Sequence, residues 1–363
     1  MHKIFLIAGE ASGDLHGSHL VSAMLATNKK IKIAAYGGKK MAAAGAEVLR
    51  NYEAFSYMGF LEVFSNLNKI LRNLTKTAQL IEDFAPDAIV FIDFPGFNLR
   101  IASRLRKMLV HTKFYYYISP KVWAWKSSRI HKLAKWMDRI FVIFPFEEDF
   151  YRKFGYEATY VGNPLLDSVN QEKSLQSKTK GLIAVLPGSR RQEIEKMLPI
   201  FASLSKEMPQ LQFEVSVMPH FELSFYRDLT SKAGQNFTFS KRTTYELLDK
   251  ASAALVTSGT ATLETALFHT PQIVAYKTSM LSYEIGKRVI QTKYISLVNL
   301  ILDKPAVPEL IQNELTIDKL KYALTKLIRD NSQMLSDYQE LHKKLGKPGA
   351  SKRTASFILE DLE

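Results

Sequence analysis

Short runs of β-branched and aromatic residues alternate with amphipathic stretches along this chain, and the alternation runs twice. The first pass predicts strands at Lys3–Ala8, Ile31–Tyr36, Ala88–Ile92, Phe114–Ile118 and Ile140–Phe144, with helical stretches at Leu15–Ala26, Leu61–Phe84 and Leu99–Met108. Repeated βα order predicts a parallel sheet covered by helices on both faces. A polar stretch, Asn170–Lys180, with Leu175 its one large apolar residue, reads as a linker. The order then restarts, with strands at Leu182–Leu186, Gln212–Val217, Ala253–Val256 and Gln272–Tyr276 and helices at Gln192–Ser205, Thr244–Lys250 and Ala261–Phe268. A charged helical tail, Ile317–Glu363, is broken at Gly346–Gly349. The expected fold class is α/β, two Rossmann-like doubly wound domains facing a cleft. They span 1–165 and 166–345, and the last helix, 346–363, is free to cross back to the first domain. A length of 363 residues accommodates two domains at roughly 150 residues each.

Composition narrows the chemistry. The chain has no cysteine, which excludes disulfides, thiolate catalysis and Cys-ligated metals. The apolar run Ile4–Ala8 is too short for a secretory leader, and no run of about 18 apolar residues predicts a membrane span, so a cytoplasmic location is expected. The 49 Lys and Arg against 36 Asp and Glu leave a net charge of +13. Such an excess suits nucleic acid, an anionic membrane surface or phosphorylated substrates, or is simply a solvated basic surface.

In open α/β sheets ligands bind beyond the carboxyl ends of the strands, and five loops placed there carry unusual residues. Gly9-Glu10-Ala11-Ser12-Gly13-Asp14 combines two glycines, which permit tight turning and close approach, with three polar side chains. An N-cap by Ser12 or Asp14 explains one of those polar residues but not all three. Asp93 ends an almost wholly apolar strand in FIDFPGFN. It is a candidate general base whose pKa burial would raise, or else a cap of the following helix. Ser119-Pro120-Lys121-Val122-Trp123-Ala124-Trp125 places two tryptophans and a lysine after a strand, either exposed for a sugar or acyl chains or buried as core. Gly188-Ser189-Arg190-Arg191 opens a helix with the amides and guanidinium groups that phosphate oxygens need. Ser258-Gly259-Thr260-Ala261-Thr262 repeats that strand–turn–helix arrangement. Glu264 in the following turns can accept from both ribose hydroxyls or merely favour the helix dipole. Two anion-ready loops and a carboxylate in one domain suggest a ribose-linked diphosphate, with the acceptor in the other domain.

Together with FPFE (Phe144–Glu147) and VGNPLLD (Val161–Asp167), which contains Asn163, these segments resemble in order the lipid A disaccharide synthase family, over nearly the whole chain. The resemblance implies an inverting GT-B glycosyltransferase. UDP-2,3-diacylglucosamine donates its sugar to 2,3-diacylglucosamine 1-phosphate, giving a β-1,6 disaccharide and UDP, with no cofactor and no metal. By position it implies that Asp93 is the essential acidic residue and the base for the acceptor 6-hydroxyl, that Arg190 faces the donor diphosphate, and that Ser258, Gly259, Thr260 and Glu264 form the UDP loop. Asn299, Glu309 and Gln312 would complete the nucleotide pocket. Gly96 stands where a relative can carry an acidic residue, which leaves Asp93 as that segment's only carboxylate.

Both implied substrates are anionic, acylated and membrane-resident, so a peripheral position on the inner face of the inner membrane is expected. The segment Tyr57–Arg72 is expected to shape the acceptor site or the membrane contact, or to be a core helix. A UDP-N-acetylglucosamine 2-epimerase or another UDP-sugar transferase of the same fold is the alternative, and GEASGD with SPKVWAW argues against it. No recognition module or basic stripe supports nucleic-acid binding, and a membrane scaffold has no need of two phosphate loops. A monomer or a homodimer is compatible with the sequence.

Overall fold

The computed structural model describes residues 1–52, 67–124, 127–172, 177–280, 283, 284, 286 and 292–363. The chain forms two units, Met1–Pro164 together with Lys347–Glu363, and Leu165–Gly346.

The strands of the first unit are β1 (His2–Ala8), β2 (Ile31–Gly37), β3 (Glu47–Asn51), β4 (Ala88–Ile92), β5 (Lys113–Tyr117), β6 (Arg139–Val142) and β7 (Thr159–Tyr160). They form one parallel sheet in the order β3-β2-β1-β4-β5-β6-β7. Its helices are α1 (Ala11–Thr27), α2 (Lys39–Ala43), α3 (Leu67–Phe84), α4 (Pro95–Leu105), α5 (Arg129–Trp136) and α6 (Phe146–Arg152).

Both faces of this sheet are covered, which is why its strands read as continuous apolar runs. Alternate residues divide between two cores. Phe5, Ile7, Phe91, Phe114 and Tyr116 pack with Ala78 and Ile81 of α3 and with Ile101 and Leu105 of α4. Ile4, Leu6, Val90, Tyr115 and Tyr117 pack on the other face with Leu20, Val21 and Met24 of α1. The order reverses between β1 and β4, where Ala8 lies level with Ile92, and this is the crevice point of a doubly wound sheet.

The second unit begins with α7 (Leu165–Glu172) and continues through β8 (Thr179–Leu186), α8 (Arg191–Glu207), β9 (Gln212–Val215), α9 (Leu223–Asp228) and β10 (Phe237–Phe239). Then follow α10 (Thr244–Lys250), β11 (Ala251–Thr257), α11 (Ala261–Leu267), β12 (Gln272–Tyr276), α12 (Leu297–Leu302), β13 (Glu309–Ile311), α13 (Ile317–Arg329) and α14 (Ser332–Leu345). Its parallel sheet runs β10-β9-β8-β11-β12-β13, the dinucleotide-fold order, with the reversal between β8 and β11. The Lys178 ammonium ties the start of β8 to this unit, donating to the Leu248 and Phe268 carbonyls (2.7 and 3.0 Å) and to the Thr270 hydroxyl (2.8 Å).

A last helix, α15 (Ala350–Glu360), belongs to the first unit, where Ala355, Ile358 and Leu359 complete the core under α1. The Arg353 guanidinium anchors it by donating to the Val161 carbonyl at 2.7 Å.

The structure differs locally from the sequence expectations. β3, β7, β10 and β13 escape periodicity because none of them contains a fully buried residue, so no apolar run marks them. The stretch read as a linker belongs to elements at both its ends, Asn170–Glu172 ending α7 and Thr179–Lys180 opening β8, while residues 173–176 lie outside the described ones. α4 begins at Pro95 rather than Leu99, since proline suits the first helical position, where no amide is needed. Of Tyr57–Arg72, residues 57–66 lie outside the described ones, and Leu67–Arg72 continue as the start of α3. Among the described residues no helix is long and apolar enough to cross a membrane.

Candidate functional site

In the first unit the reversal point is built from the ends of β1 and β4. Asp93 and Phe94 both take left-handed backbone conformations, with φ of 44° and 45°, and Ile118 after β5 has φ of 61°. Each such conformation costs a non-glycine residue about 1–3 kcal/mol, so the surroundings must impose it. The Asp93 carbonyl accepts hydrogen bonds from the Tyr116 hydroxyl (2.6 Å) and from Asn98 Nδ2 (2.7 Å), which pin the turn. The Phe94 ring lies over Gly9, where a Cβ would come within 2.1 Å of it, so only glycine fits there.

This turn leaves the Asp93 carboxyl half-buried at a recess of about 180 Å³, lined also by Pro95, Pro120, Lys121, Val122 and Arg129. Burial, aided by the negative charge of Glu10, raises its pKa to about 6, against the opposing pull of the Phe94 amide and of Lys121. Glu10 itself is exposed and accepts from the Ser12 hydroxyl at 2.7 Å.

Other residues singled out in this unit serve the frame. Neither Ser12 nor Asp14 caps α1, whose N-cap is Glu10. The Asp14 carboxylate is buried and accepts from the backbone amides of Gly38 (2.8 Å), Lys40 (3.1 Å) and Met41 (3.1 Å), so it holds the start of α2 rather than a ligand. Gly13 packs against β1, where a Cβ would meet that of Ala8 at 3.1 Å. Ser119 is buried, and its hydroxyl lies 2.6 Å from that of Tyr151. Trp123 is core: its indole stands edge-on to Phe144 and Phe146, and its Nε1 donates to Glu147 at 2.9 Å. Trp125 lies outside the described residues. Asn163 is buried and donates to the Ile143 carbonyl at 3.2 Å.

Glu147, quoted in the sequence only as part of FPFE, turns out to organise this wall. It is fully buried and also accepts the amides of Ile143 (3.0 Å) and Phe144 (2.9 Å). Burial raises its pKa to about 7 despite these donors. A carboxylate directly after an apolar Phe-Pro-Phe run was the available signal.

In the second unit both informative loops lie at the reversal point, where Leu186 of β8 lies level with Val256 of β11. Gly188 has φ of 117°, and a Cβ there would meet that of Glu193 at 2.6 Å. The Glu193 carboxylate folds back over the loop, accepting from the amides of Ser189 (3.1 Å) and Arg190 (3.3 Å) and from Arg190 Nη1 (3.1 Å). The helix thus carries its own anion at its N-terminus, on the donors a phosphate would use. The Arg190 side chain is 82% exposed.

In the loop after β11, Ser258 donates to the Ile295 carbonyl at 2.9 Å, and Gly259 and Thr260 are exposed. Ala261 opens α11, and the buried Thr262 hydroxyl donates to the Gly259 carbonyl at 2.8 Å, fixing the turn. Burial raises the pKa of Glu264, while the Tyr245 hydroxyl, 3.2 Å away, opposes the shift.

Asn299, Glu309 and Gln312, expected in the nucleotide pocket, are engaged within the protein. Asn299 Nδ2 donates to the Val307 carbonyl (2.9 Å) and to Glu309 (2.8 Å), while its Oδ1 accepts from the Val307 amide (2.9 Å). Glu309 also accepts the amides of Ile295 (3.0 Å) and Ser296 (2.9 Å), and Gln312 Oε1 accepts that of Thr278 (2.8 Å). Asn299 and Glu309 position the segment that meets Ser258, and Gln312 holds the chain just after β12. Among the described residues, no three His, Asp or Glu side chains converge as metal ligands.

Comparison with known proteins adds to this geometry. The sequence profile described as lipid-A-disaccharide synthetase matches residues 4–360. The lipid-A-disaccharide synthase of Myxococcus xanthus is 34% identical over 375 residues, covering 99% of this chain and 97% of that protein. Among solved structures, the UDP-GlcNAc 2-epimerase from Neisseria meningitidis, bound to UDP-GlcNAc, matches with a TM-score of 0.62 at 14% identity, over 99% of this chain and 100% of that one. The calicheamicin glycosyltransferase CalG4 matches with a TM-score of 0.64 at 15% identity, over 100% of this chain and 98% of that one. At these identities the likeness to solved structures carries the fold alone, a GT-B fold of two Rossmann-like units.

Proposed function

Because the chain belongs to the lipid-A-disaccharide synthase family, and is therefore a glycosyltransferase of lipid A biosynthesis, we propose that it moves 2,3-diacylglucosamine from UDP-2,3-diacylglucosamine to 2,3-diacylglucosamine 1-phosphate. The first unit takes the acceptor and the second the nucleotide. Asp93 removes the proton of the acceptor 6-hydroxyl as that oxygen attacks C1 of the donor sugar. The bond from C1 to the β-phosphate oxygen breaks, and its electron pair leaves with UDP. Attack opposite the leaving group inverts the anomeric centre and gives the β-1,6 linkage. Arg190 and the Ser189 and Arg190 amides meet the diphosphate once Glu193 swings aside, Ser258–Thr260 line the nucleotide, and Glu264 accepts from the ribose hydroxyls. The UDP-sugar is a substrate, and the reaction as written takes no cofactor.

The observation that carries this reading is the Asp93 carboxyl, held by a strained turn at a switch point with its pKa raised to about 6. Such a group is mostly ionised at neutral pH and more basic than an ordinary carboxylate, which suits a general base. The test is UDP release and disaccharide formation in detergent micelles with both acylated glucosamine substrates, comparing wild type with Asp93→Asn. General-base assistance contributes about 10²–10⁴-fold, so the variant is expected to lose at least 100-fold while melting normally and still binding UDP. A variant with the wild-type rate removes Asp93 from the chemistry. Wild type that binds UDP but releases none with these lipids removes the substrate assignment.

A further inference from the structure

The Glu264 carboxylate in the second unit is tied at one oxygen and open at the other. Its Oε1 accepts from the Tyr245 hydroxyl at 3.2 Å. Its Oε2 takes no hydrogen bond among the described residues, yet it is not sealed in the core. The last torsion of a glutamate is broad and roughly two-fold, so an untied carboxylate turns about it. The tie to Tyr245 restricts that turning and sets the direction of Oε2. Tyr245 can impose a direction because it is itself held. It lies in the first turn of α10, which leads straight into the start of β11, so that turn lies at the end of the sheet where β11 stops and α11 begins. Thr243 caps the helix: its hydroxyl accepts the Glu246 amide (3.2 Å), while the Glu246 carboxylate accepts the Thr243 amide (2.7 Å). The Thr244 hydroxyl lies 2.6 Å from that of Ser216 after β9, and the Tyr245 ring packs on the buried Phe268 ring with centroids 5.2 Å apart. Burial disfavours the charged form of Glu264, and the Tyr245 hydroxyl opposes that. A half-buried carboxylate with one partner has acceptor capacity to spare, since its two oxygens offer about four lone-pair sites. A pair of neighbouring hydroxyls, both donating, matches what is left.

We propose that Tyr245 is a positioning residue of the nucleotide site, whose hydroxyl orients the Glu264 carboxylate to receive the ribose 2′- and 3′-hydroxyls. The assignment rests on the nucleotide site proposed above and adds to it the residue that sets its preference for a ribose carrying both hydroxyls. Tyr245 acts through Glu264 and does not itself touch the nucleotide.

The experiment measures the Kd of UDP and of 2′,3′-dideoxyuridine 5′-diphosphate for wild type, Tyr245→Phe, Glu264→Ala and the double variant. Phenylalanine keeps the ring against Phe268 and removes only the hydroxyl. Hydrogen bonds to a charged group are the strong ones, so wild type should bind UDP about tenfold or more tighter than the dideoxy nucleotide. Tyr245→Phe should lower that ratio by roughly threefold or more, with the Kd of the dideoxy nucleotide close to wild type. Added to Glu264→Ala, it should lower the ratio no further, because a residue that acts through Glu264 has nothing to act on once that carboxylate is gone. A wild-type ratio in Tyr245→Phe overturns the proposal. Equal weakening of both nucleotides also overturns it, since a packing role produces that result. So does a ratio that falls again in the double variant, which would put the Tyr245 hydroxyl on the nucleotide itself. In these three cases a ratio lowered by Glu264→Ala alone leaves Glu264 on the ribose and only Tyr245 is removed. Wild type that does not tell the two nucleotides apart, or Glu264→Ala that still does, removes both residues from the ribose. UDP release by wild type in the transfer assay leaves the proposed reaction standing in every one of these outcomes.

Discussion

Asp93 sits among charges that pull its proton affinity in opposite directions. Burial and Glu10 raise it, and the Phe94 amide and Lys121 lower it, leaving a pKa of about 6. The ionised form therefore accumulates as pH rises through about 6, so with Asp93 as the proposed base kcat/KM should climb over that range and then level off. Without its negative charge Glu10 no longer favours protonation of Asp93, so Glu10→Gln should move this acid limb to lower pH. A pH–rate profile of the variant with an unmoved limb would show that Glu10 does not act on Asp93. Asp93 was legible in the sequence as a carboxylate closing an apolar strand. The paired left-handed turn at Asp93 and Phe94 was not, because it is held by Asn98 and by Tyr116 of the neighbouring strand.

At the scale of elements, the connection from Ile295 to Glu309, which contains α12, is anchored by side chains at its two ends. Glu309 alone accepts from the Ile295 and Ser296 amides and from Asn299 Nδ2. Leaving a half-buried donor without its acceptor costs about 1–3 kcal/mol. Glu309→Ala should therefore lose about 3 kcal/mol or more, lowering the melting temperature by roughly 6–12 °C for a unit of this size. Thermal unfolding within about 2 °C of wild type would mean that the segment is held otherwise. The effect should extend to nucleotide binding, since Ser258 docks on the Ile295 carbonyl.

At the scale of the whole molecule, the chain returns to its first unit through α15, so the two ends of the sequence share one core. Ile358 is fully buried there, and Ile358→Asp both opens a cavity and buries a carboxylate. A loss of about 4 kcal/mol or more is expected, seen as earlier melting of the first unit. An unchanged melting curve would remove α15 from that core. The net charge of +13 also belongs to this scale. If the protein docks on an anionic bilayer, as its charge and the acylated substrates proposed for it lead one to expect, cosedimentation with phosphatidylglycerol vesicles should fall steeply as salt rises from about 0.05 to 0.5 M. Binding that salt leaves unchanged would argue for apolar insertion instead.

The alternation of apolar runs and amphipathic stretches determined the doubly wound fold by itself, because strands buried on both faces and helices buried on one leave distinct periodicities. It also located the loops beyond Ala8, Ile92, Leu186 and Thr257, since a βα unit exposes the carboxyl end of each strand. Which of the polar and aromatic side chains singled out in the sequence are held within the protein was decided only by the tertiary structure. Asp14 finds its donors at Gly38, Lys40 and Met41, and Glu309 finds its donors at Ile295 and Ser296. Trp123 finds its acceptor at Glu147. A buried polar group is committed to whichever partner the fold brings within about 3 Å, and partners from separate segments leave no mark in local spacing.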